Sequence, residues 1–92
     1  GGGGNAIVIS TAETTSEAPT NFMLITTEDL GATGSIQYFV TRNGGTNWQL
    51  VSSLGQLIDF TSGTGTTVQI KAVITGDAKL YGWSLFCDKE FV

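Results

Sequence analysis

Residues 67–74 read TVQIKAVI, and this stretch decides the fold class because its apolar residues recur at every second position. A period of two is the period of a β-strand, in which successive side chains point to opposite faces of a sheet. Gln69 and Lys71 are therefore expected to point outward. The face predicted to lie in the core carries Val68, Ile70, Ala72 and Ile74.

Other short runs along the chain are rich in apolar and β-branched residues and are bounded by Gly, Asn, Asp, Ser or Thr. Runs of this length and composition are typical of strands. They predict further strands at residues 6–10, 21–27, 35–41, 47–53, 57–60 and 80–87. Residues 11–20, which contain the only proline, are predicted to form a loop.

The sequences of some of these strands also predict where the strands lie and which residues share a face. Residues 21–27 are apolar on both faces, which predicts a strand that is central or covered on both sides. Gly82 is predicted to mark a β-bulge or a close approach of another backbone. Alternation in the third strand places Ile36, Tyr38 and Val40 on one face, which is predicted to face the core. Alternation in the fourth strand places Trp48, Leu50 and Ser52 on one face.

About seven short strands separated by turns predict an all-β fold, an antiparallel and jelly-roll-like β-sandwich, with a small barrel as the alternative. No apolar run has the period of an amphipathic helix. A chain of 92 residues suits one domain. We expect that domain to cover residues 5–92, and the glycines at residues 1–4 to be a flexible linker or a tag remnant.

The charge balance excludes two classes of partner. The formal net charge is -4, and the chain has only 4 Lys and Arg residues, so no basic stripe is available to neutralise phosphates. Nucleic acid is therefore not expected as a partner. The apolar runs are too short to span a bilayer, and the sequence predicts a soluble module without membrane insertion.

Residue types that carry chemistry are scarce. The chain has no histidine, so Cys87, its only cysteine, has no partner for a His-assisted nucleophile, a Cys/His zinc site or an internal disulfide. Cys87 is expected to be a small apolar residue in a strand. The best local pair of acids is Glu28 with Asp29 in a turn, where acids are usually solvated. The sequence thus predicts no enzyme, no catalytic residue, no metal and no cofactor.

Residues 41–48, TRNGGTNW, lie between two predicted strands and predict a hairpin turn. Asn and Gly tolerate the positive φ angles that tight turns require. We expect the side chain of Asn43 to accept hydrogen bonds from turn N–H groups and Gly45 to adopt the left-handed conformation. Trp48 is expected to fold back from the next strand into the core.

This hairpin resembles the Asp-box, a pattern of Ser or Thr, Asp or Asn, Gly and an aromatic residue that recurs in sialidases and in many other β proteins. The matching residues are Thr41, Asn43, Gly45 and Trp48. Sialidases resemble multi-bladed propellers in which several arginines grip a carboxylate, whereas Arg42 is the only arginine here. The resemblance therefore implies a structural role for the hairpin rather than a sialidase activity.

A longer stretch, residues 36–87, resembles a β-sandwich module of bacteriophage tail fibres and other virion proteins. In that module a DGGTTW hairpin precedes a strand of the form S-G-T-x-L-x-W/K-A-x-L-T-G and a final strand of the form L-x-G-hydrophobic-x-L. Asn43 replaces the usual Asp, which keeps the capping oxygen and loses a charge. The other matching residues are Gly63, Thr64, Val68, Ile70, Lys71, Ala72, Ile74, Thr75, Gly76, Leu80, Gly82, Trp83 and Leu85.

The resemblance implies a non-enzymatic structural or host-recognition module located in the virion, with a cell-surface glycan as a candidate ligand. The alternative is a carbohydrate-binding module of a secreted enzyme. Either function requires an exposed planar aromatic beside hydrogen-bonding groups. The candidate ligand-contacting residues are Phe39, Tyr81, Trp83 and Phe86.

Self-association is the last expectation. A small sandwich has exposed sheet edges that natural proteins protect, and outward positions such as Phe39, Val51 and Val73 leave apolar surface for a partner. The terminal Phe91 and Val92 are expected to add to it. We expect a homo-oligomer, with a trimer favoured by the likeness to fibre modules, or contacts with other virion subunits. The alternative is that these residues cover a second layer within one chain.

Overall fold

The computed structural model describes residues 4–92, which form eight β-strands. Their bounds are β1 Gly4–Ile9, β2 Glu13–Thr14, β3 Asn21–Asp29, β4 Ser35–Thr41, β5 Gln49–Leu50, β6 Ile58–Asp59, β7 Thr67–Gly76 and β8 Lys79–Cys87. All strand pairs are antiparallel. The predicted all-β, antiparallel fold is confirmed. Short runs with a period of two can bury one face when they pair as strands, and they could not do so as helices.

The strands form two sheets. The larger sheet has the order β1-β7-β4-β5, and β2 also pairs with β7, next to the start of that strand. The smaller sheet has the order β6-β3-β8. The predicted linker falls on residues 1–3, which lie outside the described residues, and on Gly4, which is the first residue of β1.

The core lies between the two sheets and contains two adjoining clusters. One cluster includes Phe22 and Phe60, whose ring centroids are 4.7 Å apart. The other includes Leu24 and Tyr38. The inward residues expected for β7 and β4 are confirmed, with Val68, Ile70, Ala72, Tyr38 and Val40 buried and Ile36 and Ile74 packed at the margin.

Strand β3 departs in part from its expected environment. It is the middle strand of the smaller sheet, as expected of a central strand. Its outer face is not covered, because Ile25 remains 45% exposed while Phe22 and Leu24 are fully buried. Of the two alternatives, the central position is therefore confirmed and cover on both faces is not seen, because the second apolar face points away from the core.

Strand β8 contains the predicted bulge. Thr27 lies opposite Gly82 and Glu28 lies opposite Leu80, so Tyr81 is an extra residue on β8. A bulge lets residues of different parity reach the same side of a sheet. Leu80 and Trp83 therefore both pack against the core. The alternative, a close backbone approach, is not seen, because a Cβ on Gly82 would have nothing within 4 Å.

The chain between β5 and β6 crosses from one sheet to the other, which shortens the strand expected over residues 47–53 to Gln49–Leu50. The N–H of Val51 donates to Tyr38 in the larger sheet at 2.8 Å, and that of Gly55 donates to Leu24 in the smaller sheet at 2.8 Å. The side chain of Val51 packs against both core clusters. Val51 was expected to point outward, and that expectation is wrong because the crossing turns it inward.

Candidate functional site

The hairpin at residues 41–48 is held by its own polar side chains. The Oγ1 of Thr41 accepts hydrogen bonds from the N–H groups of Asn43 at 3.2 Å and Gly45 at 3.0 Å, and donates to Oδ1 of Asn43 at 2.9 Å. Oδ1 of Asn43 also accepts from the N–H of Asn47 at 2.9 Å. Gly45 has a φ of 94°, as the turn chemistry requires. These groups bind one another, which is the arrangement of a structural turn.

Arg42 links this hairpin to two other loops. Its guanidinium donates to the carbonyl oxygens of Gly63 and Pro19 and lies 5.0 Å from the centroid of the Phe60 ring. The only arginine of the chain is therefore occupied by backbone carbonyls at the end of the core. Sequence reasoning missed this role, because Pro19 and Gly63 are both far from Arg42 along the chain.

Trp48 does not enter the core, contrary to the expectation from the sequence. Its ring lies on the outer face of the larger sheet, 4.6 Å from Nζ of Lys71, and the ring of Phe39 lies 4.9 Å from the same Nζ. Lys71 alternates along β7 with buried residues and therefore points outward. The ammonium placed against two aromatic rings gives Trp48 a favourable position outside the core.

Phe39 and Lys71 belong to a cross-strand row on the outer face of the larger sheet. The strand register places Ile9 opposite Lys71, Lys71 opposite Phe39, and Phe39 opposite Leu50. Ile9 and Leu50 are about half exposed. Lys71 is the one charged side chain in this row, so the row is mainly apolar.

Tyr81 and Phe86 lie on a different surface, the outer face of the smaller sheet. Tyr81 stands on the bulge and is exposed, and Phe86 lies opposite Met23 and is half exposed. Ile25 shares this face. Two of the four candidate aromatics therefore lie on the same surface.

Trp83 lies on a third surface, between the sheets. It lines a groove of about 400 Å³ that opens at the side of the sandwich, where β2 and the end of the chain meet. Polar groups and a second aromatic ring share the groove with it, from Ser10, Thr11, Glu13, Gln69 and Phe91. Of the four predicted aromatics, only Trp83 lines this groove, so the four residues do not form a single site.

The carboxylates of Asp88 and Asp77 accept hydrogen bonds from backbone N–H groups of distant segments. Asp88 accepts from the N–H of Thr20 at 2.8 Å and from its hydroxyl at 2.5 Å, and these bonds, the hydroxyl first, lower the pKa of Asp88. Asp77 accepts from the N–H of Thr33 at 3.2 Å, and this bond lowers the pKa of Asp77. Both carboxylates thus act as braces between distant segments. Their partners are too far away in sequence for a local pattern to reveal them.

Glu28 and Tyr38 form a polar pair at the edge of the core. The hydroxyl of Tyr38 donates to Oε1 of Glu28 at 2.7 Å, and the hydroxyl of Thr26 donates to the same atom at 3.1 Å. Burial first, and the neighbouring carboxylate second, raise the pKa of Tyr38 to about 12. Asp29 instead accepts from the N–H of Gly31 at 2.9 Å. The two neighbouring acids therefore have different partners and separate structural roles.

Cys87 is half-buried in β8 and packs against the Phe22 cluster, as expected for a small apolar residue. Burial raises the pKa of its thiol to about 11, which keeps it protonated at neutral pH. Across residues 4–92 the His, Cys, Asp and Glu side chains do not gather in groups of three or more that could hold a metal ion. The same residues include no helix long and apolar enough to cross a bilayer.

No family model, curated protein or solved structure matches this chain.

Proposed function

We propose that this chain is a non-enzymatic recognition or assembly module of a bacteriophage tail fibre or a related virion appendage, acting outside the cell as part of the particle. The observation that carries the proposal is the resemblance of residues 36–87 to such modules. The matching residues lie in β4, the hairpin, the loop before β7, β7 and β8; β4 and β7 are neighbours in the larger sheet, and β8 is an end strand of the smaller sheet.

The roles of individual matching residues are consistent with this proposal. Gly45 supplies the positive φ of the hairpin, Ala72 lies on the buried face of β7, and Gly82 flanks the bulge of β8. Three charged side chains of types that enzymes use in catalysis instead hold loops in place here. They are Arg42, Asp77 and Asp88. The exposed faces of both sheets supply apolar surface for a glycan or another virion subunit.

The first test is a binding measurement with the chain fused to a fluorescent protein. The fusion is titrated onto bacterial cells of several species and onto lipopolysaccharide and peptidoglycan purified from them. Saturable binding to one surface, weakened at least tenfold by Tyr81→Ala or Phe86→Ala, would support recognition through the smaller sheet. Leu54→Ala, which changes an exposed apolar residue in the crossing segment after β5, is the matched control. Absence of saturable binding to every surface would contradict host recognition.

The second test is the full reading frame from which the chain comes. Coiled-coil or β-helical flanks would support a fibre. A catalytic glycosidase domain in the same reading frame would contradict the virion assignment and favour a carbohydrate-binding module.

The carbohydrate-binding module is the second candidate, and the groove at Trp83 favours it. The groove is lined by Trp83 and by polar residues that include Glu13 and Gln69. Nε2 of Gln69 donates to the carbonyl of Ser10 at 3.1 Å, which holds the amide beside the groove. An aromatic platform beside directed polar groups is the arrangement that sugar binding requires. Calorimetric titration with soluble plant and bacterial polysaccharides tests it: Glu13→Gln and Gln69→Ala should weaken binding, and Glu17→Gln, outside the groove, should not.

A further inference from the structure

Strand β1 is exposed along its whole length. It pairs with β7 on one side, and all six of its residues are exposed. Ile7 is 65% exposed and Ile9 is 51% exposed on the outer face, while Val8 is 41% exposed on the inner face. The smaller sheet therefore does not cover β1, and both faces of the strand are open to a partner.

The hydrogen-bond pattern identifies which backbone groups of β1 are free. The N–H of Ser10 donates to the carbonyl of Ile70 at 2.9 Å, and the N–H of Ile70 donates to Oγ of Ser10 at 2.9 Å, so Ser10 and Ile70 form a hydrogen-bonded pair. Bonded pairs alternate along an antiparallel ladder, which assigns the groups of Val8 and Ala6 to β7 as well. The N–H and C=O groups of Asn5, Ile7 and Ile9 consequently point to the free edge, and within residues 4–92 no strand pairs with them.

The strands that end the sheets elsewhere in the described chain carry features that discourage pairing, and β3, which β6 pairs only as far as Phe22, ends in Glu28 and Asp29. Strands β5 and β6 have two residues each, and β8 carries a bulge at Tyr81 and a lysine at Lys79. Short length, a bulge and lysine all discourage pairing with another chain. By contrast, β1 has no charged residue and no proline, and its register against β7 is unbroken. It is a six-residue, uncharged edge with an unbroken register, and strand addition requires such an edge.

We propose that two copies of this chain pair through β1 in an antiparallel arrangement whose two-fold axis passes beside Ile7. In this register Ile7 faces Ile7 of the second copy, and Asn5 faces Ile9 of the second copy. The three outward N–H groups of each copy then meet the three outward C=O groups of the other. The two larger sheets become one continuous sheet across the axis.

A second copy suits this edge better than an unrelated strand. The chain carries a net charge of -4, so two copies repel each other over most surfaces, but residues 4–9 are uncharged. The two-fold register also pairs like with like, since Ile7 packs on Ile7 outside and Ala6 faces Val8 inside. An antiparallel pair of identical strands is related by a two-fold axis, so this edge specifies a dimer and not the trimer expected from sequence. The pairing rests on the edge of β1 and not on the virion assignment.

The oligomeric state tests the proposal. Sedimentation equilibrium over a hundredfold range of concentration should show the mass rising from one chain of 9.6 kDa to twice that value. Ile7→Lys should keep the chain monomeric throughout, because two ammonium groups would face each other across the axis. Ile25→Lys places the same charge on the outer face of the smaller sheet and should dimerise like the wild type. A constant mass of one chain, a trimer, or an Ile7→Lys variant that still dimerises would overturn the proposal.

The register is tested by cysteine cross-linking in a Cys87→Ser background. Directly opposite bonded residues have Cα atoms about 5.5 Å apart, which is within the span of a disulfide. Ile7→Cys should therefore yield a disulfide-linked dimer on mild oxidation. Val8 faces Ala6 of the second copy and lies diagonally from its own counterpart, so Val8→Cys should cross-link at least tenfold less. Equal cross-linking of both variants, or none from Ile7→Cys, would overturn this register. Circular dichroism of each variant verifies that it is folded.

Discussion

Gly45 shows how much depends on a single backbone conformation. Its φ of 94° lies in a region that side-chain-bearing residues rarely adopt. A Cβ at this position would lie 3.4 Å from Cζ2 of Trp48, which is an ordinary van der Waals contact. The glycine is thus required by the backbone conformation of the turn and not by lack of space beside the ring.

Gly45→Ala is expected to lower the free energy of unfolding by on the order of 1 kcal/mol or more, because the native φ is strained for alanine. Urea unfolding followed by far-ultraviolet circular dichroism measures it. Gly82→Ala, where a Cβ would have nothing within 4 Å, is the matched control and should change stability little. An unchanged midpoint for Gly45→Ala would show that the turn tolerates a side chain.

The hydrogen bonds that Asp88 accepts make the stability of the fold sensitive to acid. Its pKa is lowered in the folded state from the ordinary value of 3.8 by hydrogen bonds from Thr20 and Asn21. A lowered folded-state pKa means that the stabilisation is complete above the unfolded pKa and is lost as pH falls towards the folded one. Asp88→Asn should therefore reduce the urea midpoint at pH 7, and its difference from wild type should shrink below about pH 4.

Asp59→Asn provides the control, since that carboxylate is on an exposed residue. Some acid dependence should persist in Asp88→Asn because Asp77 is shifted in the same direction. A difference between Asp88→Asn and wild type that stays constant from pH 7 to pH 2 would contradict the linkage.

At the scale of the element, the segment after β5 decides which residues of the fourth predicted strand are buried. Strand β5 ends after two residues, and the chain then crosses the end of the sandwich to reach β6. The crossing places Val51 against both core clusters and leaves Leu50 half exposed on the outer face. The alternating pattern of residues 47–53 indicated the opposite faces for these two residues.

Val51→Ala is accordingly expected to lower the free energy of unfolding by about 1 to 2 kcal/mol, because it removes buried methyl groups between the clusters. Leu50→Ala removes more carbon from a side chain that is half exposed and should cost under about 0.5 kcal/mol. Chemical denaturation of both variants gives the comparison. A larger loss of stability for Leu50→Ala would show that Leu50 is buried in place of Val51, as the sequence pattern indicates.

At the scale of the whole molecule, protection of the backbone should differ between the two edges of β1. The amides of Ala6 and Val8 bond to β7, whereas those of Asn5, Ile7 and Ile9 point to the free edge. Amide hydrogen exchange at low concentration should therefore be fast for the second group and slower for the first.

At concentrations where the mass doubles, the amides of Asn5, Ile7 and Ile9 should become protected, because they then bond to the second copy. In the Ile7→Lys variant the amides of Asn5 and Ile9 should stay unprotected at every concentration. Protection of the free-edge amides in a monomer would show instead that another segment of the chain covers β1.

Local sequence chemistry determined most of the strands, their alternating faces and the hairpin. The period of residues 67–74 and the Thr, Asn and Gly of the turn act through neighbours a few positions away, so they can be interpreted without the fold. The bulge at Gly82 belongs to the same class. These features amount to the fold class and three of the four hairpin residues, Thr41, Asn43 and Gly45.

Only the tertiary structure decided how those pieces meet. Trp48 lies outside because Lys71 of β7 offers a cation for its ring, and Val51 lies inside because the chain crosses between sheets at that point. The candidate aromatics occupy separate surfaces because they lie on different strands and faces, and β1 keeps an unpaired edge because within residues 4–92 no strand lies on its other side. Each outcome depends on contacts between residues distant in the chain, whose free energies no local pattern contains.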